Sequence, residues 1–253
     1  KFVPDLMLIR DMLHAVREKK NSVLMYPEAS YSFDGCATPL PRQLGQLLKK
    51  LDVPVVMIRT YGAFARDPLY NCLQKRKVKV TAKMECILTR EEIAEKSVAE
   101  LDAVLDEAFT FDNFAWQRDE KIVIDAPFRA DGLHRILYKC PHCLAENQME
   151  GRGTGLTCKA CGKVHELDPY GFLVSPDGNA DFSHVPDWYA WERECVRREL
   201  EDGTYRLEVP VDICMSVDTK RIFRVGEGML VHDGSGFHLT GCDGKLDYRH
   251  SPL

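Results

Sequence analysis

The chain has 253 residues, 45% hydrophobic and 29% charged, with 17 Gly and 13 Pro, which excludes a disordered, collagen-like or coiled-coil protein. That length can bury a sizeable core in one large domain or two ordinary ones. A formal net charge of −5 argues against a chain that coats nucleic acid, no apolar run approaches the roughly 18 residues that cross a bilayer, and no leader pattern marks it for secretion.

Residues 5–19 carry Leu6, Ile9, Leu13 and Val16 at helical spacing, and Asn21-Ser22 ends the pattern. Val23-Leu24-Met25-Tyr26 is a short continuous apolar run of the buried-strand type, closed by Pro27 and followed by a polar loop through Asp34-Gly35. Leu44, Leu47, Leu48 and Leu51 mark a second helix, and Val53–Ile58 a second buried strand. Helix, strand, helix, strand predicts an α/β sheet with crossovers. Residues 76–88 alternate, with Val78, Val80, Ala82, Met84 and Cys86 on one side and Lys77, Lys79, Thr81, Lys83 and Glu85 on the other, so one solvated face is expected. Thr89 with Glu92, and Ser97 with Glu100, have capping-box spacing and predict a broken helix over 90–108. An aromatic connector (Phe109, Phe111, Phe114, Trp116) leads to a change of character near residue 128.

Cys140-Pro-His-Cys143 and Cys158-Lys-Ala-Cys161, fourteen residues apart, form the most specific pattern. Each CxxC lets two thiolates converge from one tight turn, and two such knuckles complete a tetrahedral sulfur site. Gly151, Gly153 and Gly155 lie where a hairpin must turn, and Gly162 follows the second knuckle, so the segment resembles a zinc ribbon. Four sulfurs leave no open position, which makes a Zn²⁺ here structural rather than catalytic; His142, inside the first knuckle, is not needed as a ligand. The other six cysteines (Cys36, Cys72, Cys86, Cys195, Cys214, Cys242) are scattered and are expected to be reduced, buried small hydrophobes in a cytosolic chain. Pro186-Asp187 opens a helix with Trp188, Trp191, Cys195 and Val196 on one side, closed by Gly203, and residues 204–253 are short β-like runs broken by Asp233-Gly234 and Asp243-Gly244. The aromatic stripe on that helix is read as core in preference to an interfacial belt.

The run Val23–Tyr26 delivers Pro27-Glu28-Ala29-Ser30-Tyr31-Ser32 at a strand's C-terminal end, where open α/β sheets place ligands. With the helix that follows and Val53-Pro54-Val55-Val56-Met57-Ile58, it resembles two ordered motifs of the glycerolipid (lysophospholipid) acyltransferase family: F-P-E-G-T-R-S after a strand, then a strand of the type V-P-V-V-P-V. The likeness covers roughly residues 1–90. It implies a partial acyltransferase-type α/β sheet with flanking helices over 1–127, followed by the zinc ribbon (128–172), a linking helix (173–203) and a small β-rich module (204–253). It implies transfer of a fatty acyl group from a CoA or acyl-carrier-protein thioester to a lysophospholipid hydroxyl, with Pro27, Glu28, Ser30 and Ser32 at the acceptor site. Tyr31 stands where the family has the arginine taken to hold the acceptor phosphate, so the acceptor differs, or another cation such as Arg42 or Arg59 takes that part.

The family's catalytic H-x4-D precedes the Pro-Glu motif, and no such pair lies upstream of Glu28. His238 and Asp243 have the spacing by coincidence, in a glycine-rich β region. The chain begins at Lys1 rather than Met, so a fragment is expected, inactive alone, whose catalytic pair lies further upstream. Lys75-Arg76-Lys77, Lys79 and Lys83 form the densest positive patch, either a solvated strand face or a contact for anionic headgroups at the inner face of the membrane, with no nucleic acid as partner. The competing class is a non-enzymatic zinc-ribbon binding module, for which nucleic acid is one candidate partner.

Overall fold

The structure, a computed structural model, describes residues 6–218 and 220–252. Two compact units divide it, Lys1–Tyr189 and Ala190–Leu253. Helices and antiparallel sheets are mixed in the chain.

In the first unit, helix α1 (Leu6–Leu13) runs on into a π-helical turn, His14–Glu18, and turns Met12 and Val16 inward. The expected helix start at residue 5 lies outside the described residues. Helix α2 (Leu44–Leu51) is capped from a distance: Asp102 accepts from the backbone N–H groups of Gln43 (3.2 Å) and Gly45 (2.6 Å). A Cβ on Gly45 would stand 2.5 Å from the carbonyl of Val98, so glycine lets α2 approach its neighbour closely.

Strand β1 (Val55–Tyr61) is followed by the short helix α3 (Ala63–Arg66) and by β2 (Thr81–Leu88), which pairs with β1 antiparallel. Helices α4 (Arg90–Glu95) and α5 (Val98–Phe109) each begin with a complete capping box, on Thr89–Glu92 and Ser97–Glu100, as the spacing predicts. Leu48, Leu88, Ile93, Leu101 and Leu105 form the core between sheet and helices. Helix α6 (Asn113–Asp119) is capped by Asp112.

Three expectations fail in this region. Val23–Tyr26 is not a strand and not buried: Leu24 is 68% and Tyr26 79% exposed, because the run hydrogen-bonds to no strand among the described residues. The sheet has two antiparallel strands instead of parallel ones joined by crossovers. Strand β2 starts at Thr81, not at 76, and its apolar side is bare, with Met84 72% exposed.

The ribbon is a four-stranded meander of β3 (Met149–Arg152), β4 (Gly155–Cys158), β5 (Val164–Leu167) and β6 (Leu173–Val174). Gly153, at φ +66°, opens the two-residue turn between β3 and β4, a conformation that hairpin turns demand and glycine supplies. Gly151 admits the preceding loop, since a Cβ there would meet the carbonyl of Ala130 at 2.5 Å. Helix α7 (Val185–Glu201) follows, and Gly203 ends it at φ +69°. Trp188 is fully buried and its indole N–H donates to the carbonyl of Lys139 (3.0 Å), so it belongs to the core.

The second unit holds a meander of β7 (Arg206–Asp218), β8 (Arg221–Asp233), β9 (Gly236–Gly241) and β10 (Leu246–His250), in the order β10-β9-β8-β7. Both Asp-Gly pairs lie at hairpin turns. No helix among the described residues is long and apolar enough to cross a membrane.

Candidate metal centre

The two knuckles are built alike, bond for bond. In the first, Leu144 N donates to Cys140 O (2.8 Å) and Cys140 N to Ala145 O (2.9 Å). In the second, Gly162 N donates to Cys158 O (2.8 Å) and Cys158 N to Lys163 O (2.9 Å). Each turn closes through a residue of positive φ just after its second cysteine, Leu144 at +64° and Gly162 at +76°. That reversal points both sulfurs of a knuckle to one side. Amide N–H groups then face the first sulfur of each pair, from His142 and Cys143 toward Cys140 and from Ala160 and Cys161 toward Cys158.

The four sulfurs lie within 4.8 Å of one another. Cys140 Sγ is 3.8 Å from Cys161 Sγ, and Cys143 Sγ 3.7 Å from Cys158 Sγ. A tetrahedral ion with metal–sulfur bonds of about 2.3 Å needs sulfur–sulfur edges of about 3.8 Å. The residues therefore fit a metal ion, with no position left for water or substrate. Burial pushes the Cys140 thiol up to about 12. Burial also opposes ionisation of Cys158, but the amides of Cys161 and Ala160 with the thiols of Cys161 and Cys140 outweigh it and bring that thiol to about 7.

Sequence reasoning missed what surrounds the sulfurs. Asp181 stands between two imidazoles, with His165 Nε2 at 3.5 Å and His142 Nδ1 at 4.0 Å. His165 is fully buried against Trp188, ring centroids 4.9 Å apart, and burial lowers its pKa. Nothing in the spacing of Asp181 announces this contact. None of the six remaining cysteines is buried: Cys72, Cys86 and Cys214 are exposed and the others intermediate. The expectation of buried thiols fails for all six, which lie on strands, turns and, for Cys195, a face of helix α7 that leaves them at least partly open to solvent.

The Pro-Glu loop is ordered by its own side chains. Glu28 Oε1 accepts from Thr38 N (2.8 Å) and Thr38 Oγ1 (3.2 Å), which ties the two ends of the loop. Pro27 and Glu28 are half-buried in a turn, and Ala29 takes φ +51°. Ser30 Oγ donates to Tyr31 O, and Ser32 Oγ to Asp34 Oδ1, both at 3.4 Å. Tyr31 points to solvent at 77% exposure. Of the two other cations considered for a phosphate, Arg59 donates to the carbonyl of Ala108 and Arg42 is exposed. His238 Nε2 pairs with Asp247 Oδ1 (2.9 Å), and Asp243 lies in the β9–β10 turn.

The basic patch loses one member. Arg76 is buried, donating to Tyr70 Oη (2.7 Å), Arg129 O (2.8 Å) and Asn71 Oδ1 (3.3 Å), while Lys75, Lys77, Lys79 and Lys83 stay exposed. No family model, no curated protein and no solved structure matches the chain.

Proposed function

We propose that the four-cysteine centre holds a structural Zn²⁺, and that the ribbon it folds accompanies part of an acyltransferase that acylates a lysophospholipid. The observation that carries this is the Glu28–Thr38 pair: it holds the Pro27-Glu28 loop in a fixed shape directly before α2 and β1, in the motif order of the glycerolipid acyltransferases. Glu28 Oε2 accepts no hydrogen bond among the described residues, which leaves one carboxylate oxygen for an acceptor hydroxyl or a basic side chain.

In this chemistry the acceptor hydroxyl oxygen attacks the thioester carbonyl carbon, its proton passes to a histidine base, and the carbon–sulfur bond breaks to release CoA or the acyl carrier protein as the thiol. In the family's motif order the histidine and its aspartate partner precede the Pro-Glu loop. Lys75, Lys77, Lys79 and Lys83 favour an anionic bilayer surface, on the cytoplasmic side, as the place of work.

The gene decides first. An H-x4-D motif within about a hundred codons upstream supports the enzyme; a start codon with no such motif overturns it in favour of a zinc-ribbon binding module, which the metal centre alone would support equally well. In the protein carrying that motif, Glu28→Gln should remove most transfer from acyl-CoA or acyl carrier protein to a lysophospholipid, with the circular dichroism spectrum unchanged. Full activity in that variant would reduce the loop to scaffold.

A further inference from the structure

The meander β7–β10 is a sheet without a core of its own. Among the described residues of 204–252 only Gly236 is buried, and no hydrophobic side chain is. The register sorts those side chains by face. Partners across an antiparallel pair share a face, and neighbours along a strand do not. The row Val209–Leu230–Leu239–Tyr248 therefore crosses all four strands on one face. The rows two residues to either side, which start at Leu207 and Val211, add Phe237 and Leu246 to it. No Asp, Glu, Lys or Arg stands in these three rows, whereas Glu208, Asp212, Glu227, Asp247 and Arg249 all stand on the opposite face.

A sheet that is apolar on one face needs a second layer there. This face is shaped for a flat one. Its middle is kept low by Gly228 and Gly241, where a Cβ would stand 2.7 and 2.6 Å from the side chain of Ile213, which lies across them. His232 lies flat on Phe237, ring centroids 3.8 Å apart. Phe237 and Tyr248 are 44% and 51% exposed, so the aromatic part of the face is the barest. The outer edge of β7 is closed to growth, because Pro210 removes a donor in the middle of the strand and Glu208 and Asp212 flank it. A partner thus meets the sheet on its face and not along that edge.

We propose that this face binds the same face of a second copy of the chain, so that two β7–β10 sheets form a sandwich about a twofold axis. A different protein would be selected by charge, and this face has none to select with. What it does offer is twist, and an identical sheet has the identical twist that aligned face-to-face packing requires. The area is sufficient. Four strands about 4.8 Å apart, with some six residues of about 3.4 Å along each, give roughly 400 Å² in projection. Side-chain relief raises the accessible area, so two copies together reach about 1,000 Å², where specific interfaces begin. The pairing rests on the β7–β10 sheet alone and stands whether or not the Pro-Glu loop accepts a lipid.

Sedimentation velocity on the zinc-loaded chain, from about 5 to 500 µM at neutral pH, should show monomer passing into dimer. Val211→Lys sets a charge inside the apolar face and should weaken association at least ~30-fold, while Glu208→Gln on the opposite face should leave it unchanged. Whether or not the lysine variant folds, the unaltered chain gives a direct reading. In a mixture of isotope-labelled and unlabelled protein, intermolecular methyl NOEs should join Val209, Leu230 and Leu239 of one copy to the same row of the other. A monomer at every concentration would overturn the pairing, as would a dimer without those NOEs. Binding of the monomer to phosphatidylcholine vesicles, lost in a folded Val211→Lys protein, would assign the face to lipid and overturn it too.

Discussion

The ribbon and the β1–β2 layer are both small antiparallel sheets, yet they are finished in opposite ways. In the ribbon every ligand arrives from a turn closed by its own backbone, within five residues, and the strands bury Met149, Leu156, Leu167 and Leu173. In the β1–β2 layer only one face meets helices; Val56, Ile58 and Met84 face water and one strand edge is open. A metal centre lets a short segment complete itself, because the ion supplies the binding energy that a small core cannot. A two-stranded layer has no such substitute and must recruit more chain.

The sharpest way to break the contrast is to take away the metal. Chelation, or Cys143→Ser, should unfold residues 138–174, since structural zinc contributes apparent binding energies of roughly 10 kcal/mol in comparable small domains. Cys143 is exposed, so the change leaves no cavity, and Cys72→Ser at another exposed thiol serves as the control. Metal analysis should give one zinc per chain. A protein free of metal with Trp188 fluorescence and thermal stability unchanged would refute the structural role.

A smaller effect tests how the ribbon is joined to the rest of its unit. His184 Nε2 and Asp112 share a 2.7 Å hydrogen bond across 72 residues. That bond raises the pKa of His184. Burial works against the Asp112 carboxylate, but the bond to His184 and the amides of Ala115 and Phe114 overcome it and lower its pKa. The histidine's contribution is complete below its unfolded value of about 6.5 and is lost as pH rises through the raised folded value. The aspartate's is present above about 4 and is lost as pH falls through the lowered one. His184→Gln should therefore cost about 1.5 kcal/mol near pH 5–6 and progressively less in alkali. Thermal melts of both proteins from pH 4.5 to 9 measure the gap; a gap constant with pH would remove the charge from the account.

The smallest effect compares the two knuckles with each other. Leu144 holds a left-handed conformation that glycine holds at 162, and it is 61% exposed, so it gains little from burial. Leu144→Gly should stabilise the ribbon by about 0.5–1 kcal/mol, and Gly162→Ala should destabilise it by about 1 kcal/mol. Equal melting temperatures for all three proteins would show that the knuckles do not feel this strain.

What could be read from the sequence was local. The capping boxes at Thr89 and Ser97, the Asp-Gly turns and the cysteine knuckles each lie within a few residues, where spacing and chemistry decide the geometry together. What escaped was distant. Asp102 caps a helix that begins 58 residues earlier, Arg76 turns inward because Tyr70 and the carbonyl of Arg129 receive it, and Asp181 lies near two histidines, one in the first knuckle and one on β5. The run Val23–Tyr26 has a strand's pattern, but pattern names only the side chains that want cover and not the neighbour that provides it.

The burial of the four sulfurs alternates, with Cys140 and Cys158 inside and Cys143 and Cys161 exposed. Each knuckle thus offers one sulfur to the solvent and keeps one behind it. Oxidants act on accessible thiolates first. Damage would begin at Cys143 and Cys161, loosening both knuckles before either inner sulfur is touched. A metal ion held at these sulfurs would mark the place where peroxide or a strong oxidant undoes the ribbon, from the outside inward.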